Sequence, residues 1–326
     1  MRKLYLIGLC LLLNILAMAQ RKRITVAKDG SGDYSTVQAA LDAVPDVNKV
    51  PVSIYIKKGT YRERLTLPAG KSFVTFTGED KNSTILTYNN HTGLISPKGD
   101  TINTYTSASF FIQADNFTAT NLTFENNAGF TAGQAVAVFA YGDKLAFDNC
   151  NFKGFQDVLF CSGADSRQYY QNCYIEGTTD FIFGPATVVF QNCHIHSKKN
   201  SHVTAASTPQ NHAYGFVFLD CKLTADSGLT SVSLGRPWRP YASVAYIRCN
   251  ISGHIIPEGW NNWKNPANEQ TARFAEYLSA GPGAQAAARA KWAKQLTANE
   301  AKVYTLQNIF GSSDKWNPLT QLSHLK

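Results

Sequence analysis

Apolar residues come in short runs along most of this chain. Val52 to Ile56 and Leu65-Thr66-Leu67 alternate apolar with polar, and Ile24 to Lys28, Phe73 to Phe76 and Thr84 to Thr87 are equally brief. Runs of this length, ended by Gly, Asp or Asn, predict β-strands. One early segment differs. Ser35 or Thr36 can cap a helix with Val37, Ala40, Leu41 and Val44 on one face and Pro45 beyond its end. After about residue 268, Gly281-Pro282-Gly283 marks a turn. Ala284 to Leu296 is alanine-rich and predicts a helix, and Thr297 with Glu300 forms a capping box for another.

From about residue 110 the strands recur in a pattern. Asn121-Leu122-Thr123-Phe124 is followed by Asn149-Cys150-Asn151-Phe152, Asn172-Cys173-Tyr174-Ile175, Asn192-Cys193-His194-Ile195, Asp220-Cys221-Lys222-Leu223 and Arg248-Cys249-Asn250-Ile251. Phe147, Tyr170, Phe190 and Phe218 stand two residues before the Asn or Asp. The Leu122/Cys position recurs at spacings of 28, 23, 20, 28 and 28. Such periods, with short strands and no long helical pattern, predict an all-β solenoid. The expected form is a right-handed single-stranded parallel β-helix, one elongated domain with an N-terminal helix and a C-terminal tail as caps or packing elements. Like residues on neighbouring coils lie about 4.8 Å apart, within disulfide reach. Bridged coils and a stack of reduced thiols therefore both remain open. No C-x-x-C occurs, which argues against zinc.

Composition narrows the class. The chain is 44% hydrophobic and 17% charged, which excludes a disordered protein. Arg2 and Lys3 precede an apolar run from Leu4 to Leu16, and Ala17-Met18-Ala19 fits a small-x-small cleavage site. Residues 1–19 are thus expected to be a secretory signal, with 20–326 the mature secreted domain. No later segment is apolar enough to cross a membrane. The formal charge is +8, two units of it on Arg2 and Lys3. A basic secreted chain without Lys/Arg blocks interleaved with aromatics suits an acidic polysaccharide better than nucleic acid.

The candidate chemistry lies between Gly154 and Gly184. Asp157 sits in G-F-Q-D-V-L-F and Asp180 in G-T-T-D-F-I-F-G, each beside an apolar run that makes a carboxylate costly unless paired. They are 23 residues apart, the same step as Cys150 to Cys173, so they should stack on neighbouring coils about 5 Å apart. Two carboxyls this close are expected to split, one pKa rising and one staying low. Arg236, in Leu234-Gly235-Arg236-Pro237-Trp238, can fork onto a carboxylate. Gln134 and Gln156 offer amide donors suited to an oxyanion. They lie 22 residues apart, though the long step from Leu122 to Cys150 implies an insertion that leaves their register open.

At these residues the chain resembles the pectin methylesterase (pectinesterase) family. The resemblance runs from Asp29-Gly30-Ser31-Gly32-Asp33-Tyr34 through Gly59-Thr60-Tyr61-Arg62-Glu63 and Gly133-Gln134-Ala135-Val136-Ala137. It continues through Gln156-Asp157-Val158-Leu159, Asp180-Phe181-Ile182-Phe183-Gly184 and Leu234-Gly235-Arg236-Pro237-Trp238, in family order, to Phe274-Ala275-Glu276-Tyr277 and Gly281-Pro282-Gly283. It implies Asp180 as nucleophile on the methyl ester of a galacturonate unit and Asp157 as acid and then base. It further implies Gln134 and Gln156 as oxyanion donors and Arg236 as the residue that keeps Asp180 ionised. Trp238 and Phe183 would form a floor for sugar rings, with Tyr241 a further candidate. The substrate implied is methylated homogalacturonan (pectin), cut at the ester by a monomer that needs no metal or organic cofactor. Many members carry Thr where this chain has Val158, a departure expected to touch only local packing.

Rival functions weigh less. No G-x-S-x-G elbow suggests an α/β-hydrolase. A polygalacturonase-like hydrolase would show an adjacent Asp-Asp pair and a lyase a calcium cluster of acids, and neither pattern occurs. A non-catalytic wall-binding solenoid would not need all five polar site residues. A same-fold esterase acting on a different ester stays open.

Overall fold

The computed structural model describes residues 22–311 and 314–323. The expected signal segment lies outside the described residues. Within them the chain winds as a right-handed parallel β-helix whose coils contribute one strand to each of three sheets, of 11, 8 and 7 strands. All interstrand pairings in these sheets are parallel, as in Leu145–Asp148 on Arg167–Gln171 and that strand on Thr187–Gln191.

The repeat residues take defined places on each coil. Asn121, Asn149, Asn172, Asn192, Asp220 and Arg248 all have φ between 51° and 58°. This left-handed region costs most side chains about 1–2 kcal/mol, and Asn tolerates it best after Gly. Each such residue makes the sharp corner between the first and second strands of its coil. The amides link coil to coil: Asn149 Nδ2 donates to Asn121 Oδ1 at 2.7 Å. One residue on, Cys150, Cys173, Cys193, Cys221 and Cys249 point into the core as free thiols. Two residues before the corner, Phe147, Tyr170, Phe190, Phe218 and Tyr246 stack inward, with ring centroids 4.7, 5.0, 4.6 and 4.4 Å apart in turn. Offset aromatic stacking adds to the burial of these large side chains.

The first sheet also carries an apolar column on its outer face. Ala146, Tyr169, Val189, Val217, Ala245 and Ala275 are in register on successive strands. The C-terminal tail covers it, packing Ile309, Phe310 and Leu322 against the column. Arg167 anchors the tail between Asp143 (Nη2–Oδ2, 2.6 Å) and Asp314 (Nη2–Oδ2, 2.7 Å).

The early helix forms over Val37–Asp42 with Thr36 as N-cap, and its Val37, Ala40 and Leu41 are buried as expected. The capping box of Thr297 and Glu300 forms too. Two expectations need correcting. The first strand is Lys22–Val26, because Ala27 turns to donate to the Tyr34 carbonyl. Ala284 to Leu296 is no helix: it holds one 3-10 turn, Ala286–Ala288, and a short strand, Lys294–Gln295. Arg289 leaves the local chain to pair with buried Glu276 (Nε–Oε1, 2.7 Å) and to donate to the Gly283 and Pro257 carbonyls. That buried pairing outweighs alanine propensity, which a short segment cannot turn into a stable helix alone.

Candidate active site

The segments joining the second sheet to the third build the site. Leu159 pairs with Ile182 and Phe160 with Phe183, so Asp157 and Asp180, two residues earlier, are in register on adjacent coils. The Asp157 N–H donates to the Thr179 carbonyl at 3.1 Å, and the Asp180 N–H to the His202 carbonyl at 2.8 Å. Both aspartates are left-handed, with φ of 62° and 50°. Neither is glycine, and strain of this kind gathers where side-chain direction matters. It lets the next two residues of each segment (Val158 and Leu159, Phe181 and Ile182) enter the core while the carboxyls stay outside it, at 8% and 6% exposure. Val158, the family departure, is fully buried in that core.

The register left open by the sequence closes favourably. Gln134 and Gln156 form a parallel bridge, and the Ala135 N–H donates to the Gln156 carbonyl at 3.1 Å. The added residues fall between the strand Thr123–Asn126 and Gln134, ahead of the bridge, so Gln134 keeps its place one coil before Gln156.

Arg236 forks onto Asp180, with Nε–Oδ1 at 2.9 Å and Nη2–Oδ2 at 2.6 Å. Its strand, Ser233–Pro237, pairs directly with His202–Ala206. Gly235 is required there, because a Cβ would collide with Thr204 Oγ1 on the neighbouring coil. Trp263 backs the guanidinium, whose carbon lies 3.7 Å from the ring centroid. Such stacking leaves the edge of the guanidinium free to bond the carboxylate.

Burial raises the pKa of both carboxyls, so the expectation that one would stay low does not hold in that form. A split survives. Asp157 is pushed well above the ordinary carboxylate range, first by burial and then by the facing Asp180, against the pull of Arg236 and Gln156. Asp180 is raised by burial but held back by its bonds to Arg236. Of the two, Asp157 is therefore the one that keeps its proton. Burial, with Arg236 adding to it, pushes His202 down to about 4, so this neighbour stays neutral.

A cavity of about 230 Å³ opens over these groups, lined by Gln134, Gln156, Asp157, Asp180, Arg236, Phe183 and Trp238 with Thr104, Tyr105, Ala205 and Trp263. Tyr241 is not among its lining residues. Its backbone turns left-handed (φ 67°) and its carbonyl accepts from Arg273. The sequence reading missed Tyr105, on the 3-10 turn Thr104–Thr106, and Trp263, both outside every repeat. It also missed a ladder. Phe111, Phe139, Phe160 and Phe183 occupy one register position on four successive strands of the third sheet, continuing to Ala205 and Arg236. The recurrence of Phe at these steps was the available signal.

Comparison with known proteins follows the same lines. A family model described as Pectinesterase matches residues 23–313. Pectinesterase 31 of Arabidopsis thaliana is 38% identical over 289 residues, covering 87% of this chain and 90% of that protein. A pectin methylesterase from carrot superposes with a TM-score of 0.85 at 34% identity, covering 93% of this chain and 97% of that one. A pectin methylesterase solved in complex with a hexasaccharide superposes with a TM-score of 0.81 at 28% identity, covering 92% and 99%. Sequence, coil register and comparisons agree: the chain belongs to the pectinesterase family of carboxylic ester hydrolases.

Proposed function

We propose that this protein removes methyl groups from methyl-esterified galacturonate units of pectin through an acyl-enzyme formed on Asp180. The observation that carries the proposal is the in-register pair Asp157 and Asp180 with only Asp180 forked by Arg236. The relative solved with a hexasaccharide supports a carbohydrate chain as the ligand of this cavity.

The Asp180 carboxylate attacks the ester carbonyl carbon. The tetrahedral oxyanion draws on the Gln134 and Gln156 amides, whose donors act most strongly where charge develops. As the intermediate collapses, the C–O bond to the methoxy group breaks and the protonated Asp157 gives its proton to the leaving oxygen, releasing methanol. Asp157, now a carboxylate, takes a proton from water as that water attacks the acyl-enzyme. The second collapse frees Asp180 and leaves a galacturonic acid unit, which ionises in solution. Asp157 is again protonated, so the cycle closes. Arg236 holds Asp180 ionised and oriented, and Phe183 and Trp238 offer apolar faces to the sugar rings.

The test is a product assay on highly methylated pectin. Methanol should be released with acidification, and the chain length of the polymer should not change. Shortened or unsaturated oligomers without methanol would end the esterase reading.

A further inference from the structure

Arg236 orients the reacting pair, yet its own guanidinium is held at few points. Among the described residues its hydrogen bonds all go to the Asp180 carboxylate, at 2.9 and 2.6 Å. What backs it is the Trp263 ring, whose centroid lies 3.7 Å from the guanidinium carbon. Every other cation–ring contact among the described residues is at 4.2 Å or more.

The segment carrying Trp263 is fastened to the residue before Arg236. Gly235 and Trp260 form a parallel bridge, and the Asn261 N–H donates to the Gly235 carbonyl at 3.1 Å. Asn261 Oδ1 then accepts the Trp263 N–H at 2.8 Å, and buried Asn268 donates to the Asn262 carbonyl at 3.0 Å. Trp263 and Lys264 are both left-handed, with φ of 60° and 55°. Neither is glycine, and strain kept at two successive residues marks a side chain whose direction matters. Ring and guanidinium thus share one anchor.

The proposed reaction gives this contact a task. When Asp180 becomes the acyl ester it carries no charge, and the ion pair that oriented Arg236 is lost until water regenerates the carboxylate. The ring attracts the guanidinium whatever the state of Asp180. We infer that Trp263 is a positioning residue, which keeps the Arg236 fork on Asp180 in the free enzyme and holds Arg236 in place through the acyl-enzyme stage. The inference rests on the acyl-enzyme reading above. Asp157 on the preceding coil and His202 on the following one are the other titratable groups facing the pair, and His202 stays neutral. Lys264 and Glu269, on the Trp263 segment, are exposed.

The test is the pH profile of methanol release from a short methylated oligogalacturonate. Trp263→Leu keeps apolar bulk without a ring, and Trp263→Phe keeps a ring. The acid limb of kcat/KM follows a group that must ionise in the free enzyme, here Asp180. Arg236 holds the Asp180 pKa back against burial, so a loosened fork lets it rise. In Trp263→Leu the acid limb should therefore move up by about half a pH unit or more, with kcat down about ten-fold. Trp263→Phe should recover most of both. A tryptophan that only meets sugar would instead raise KM and leave the limb and kcat at the parent's values. That result, or equal behaviour of the two variants, would overturn the inference. Asp180→Asn protein releasing methanol at the parent's rate would separately end the acyl-enzyme reading, and the inference with it.

Discussion

Asp157 is buried, faces another carboxyl and holds its proton above the ordinary carboxylate range. A group whose pKa is raised on folding contributes fully in acid, below its unfolded value, and that contribution is lost as pH rises through the folded value. Holding Asp157 protonated, where the unfolded chain would ionise it, therefore costs stability at neutral pH. Asp157→Asn should melt at the same temperature as the parent near pH 3 and at a higher one at pH 7. Thermal melts across that range check it, and a parent more stable than the variant at pH 7 would show that Asp157 folds as a satisfied carboxylate. The meeting of the two carboxyls was legible because a single spacing, 23 residues, recurs for both the cysteines and the aspartates. The joint rise of both carboxyls was not legible, since their burial depends on neighbours distant in sequence, such as Trp238 and Trp263, which line the same cavity.

At the scale of the coil, one residue sets each corner. Asn149 has φ 51°, bonds Asn121, and accepts from Lys81 Nζ at 2.8 Å. Asn149→Ala should cost about 2–3 kcal/mol, combining left-handed strain with the lost bonds. Asn149→Gly, which removes the strain but not the loss of bonds, should cost less. Denaturant midpoints of the two variants give the ordering, and equal midpoints would mean that the corner is not strained. The sequence showed the Asn-Cys repeat but not why Asn recurs: φ is invisible in a residue list, and only the shared corner explains it. The thiol stack is settled similarly. All six described cysteines are buried and unbridged, five of them on one inward-facing ladder and Cys161 on a strand of the third sheet. The Ala-rich segment misled for the opposite reason, a distant partner, Glu276, having claimed Arg289.

For the whole molecule, the tail is part of the fold's cover rather than an appendage. The apolar column from Ala146 to Ala275 lies outside the solenoid, and Ile309, Phe310 and Leu322 close it. Gln321 ties the same tail to Thr118, one step below that column, at 2.8 Å. A chain ended after Leu296 should expose the column, bind a hydrophobic dye and aggregate on warming. A truncated form as soluble and as stable as the parent would contradict this. The tail's covering role was read in the sequence, but its site was not, because strands buried on both faces, such as Arg167–Gln171, break the alternation that marks inside from outside.

In the proposed reaction, turnover begins at one atom pair, the Asp180 carboxylate and the ester carbon. The most direct test is methanol release from methylated pectin by Asp180→Asn protein whose fold is verified by an unchanged far-ultraviolet spectrum. Loss of at least about 10³-fold in kcat is expected when a nucleophile is removed. Methanol release at the parent's rate would show that Asp180 is not the nucleophile and that the roles assigned to the pair are wrong.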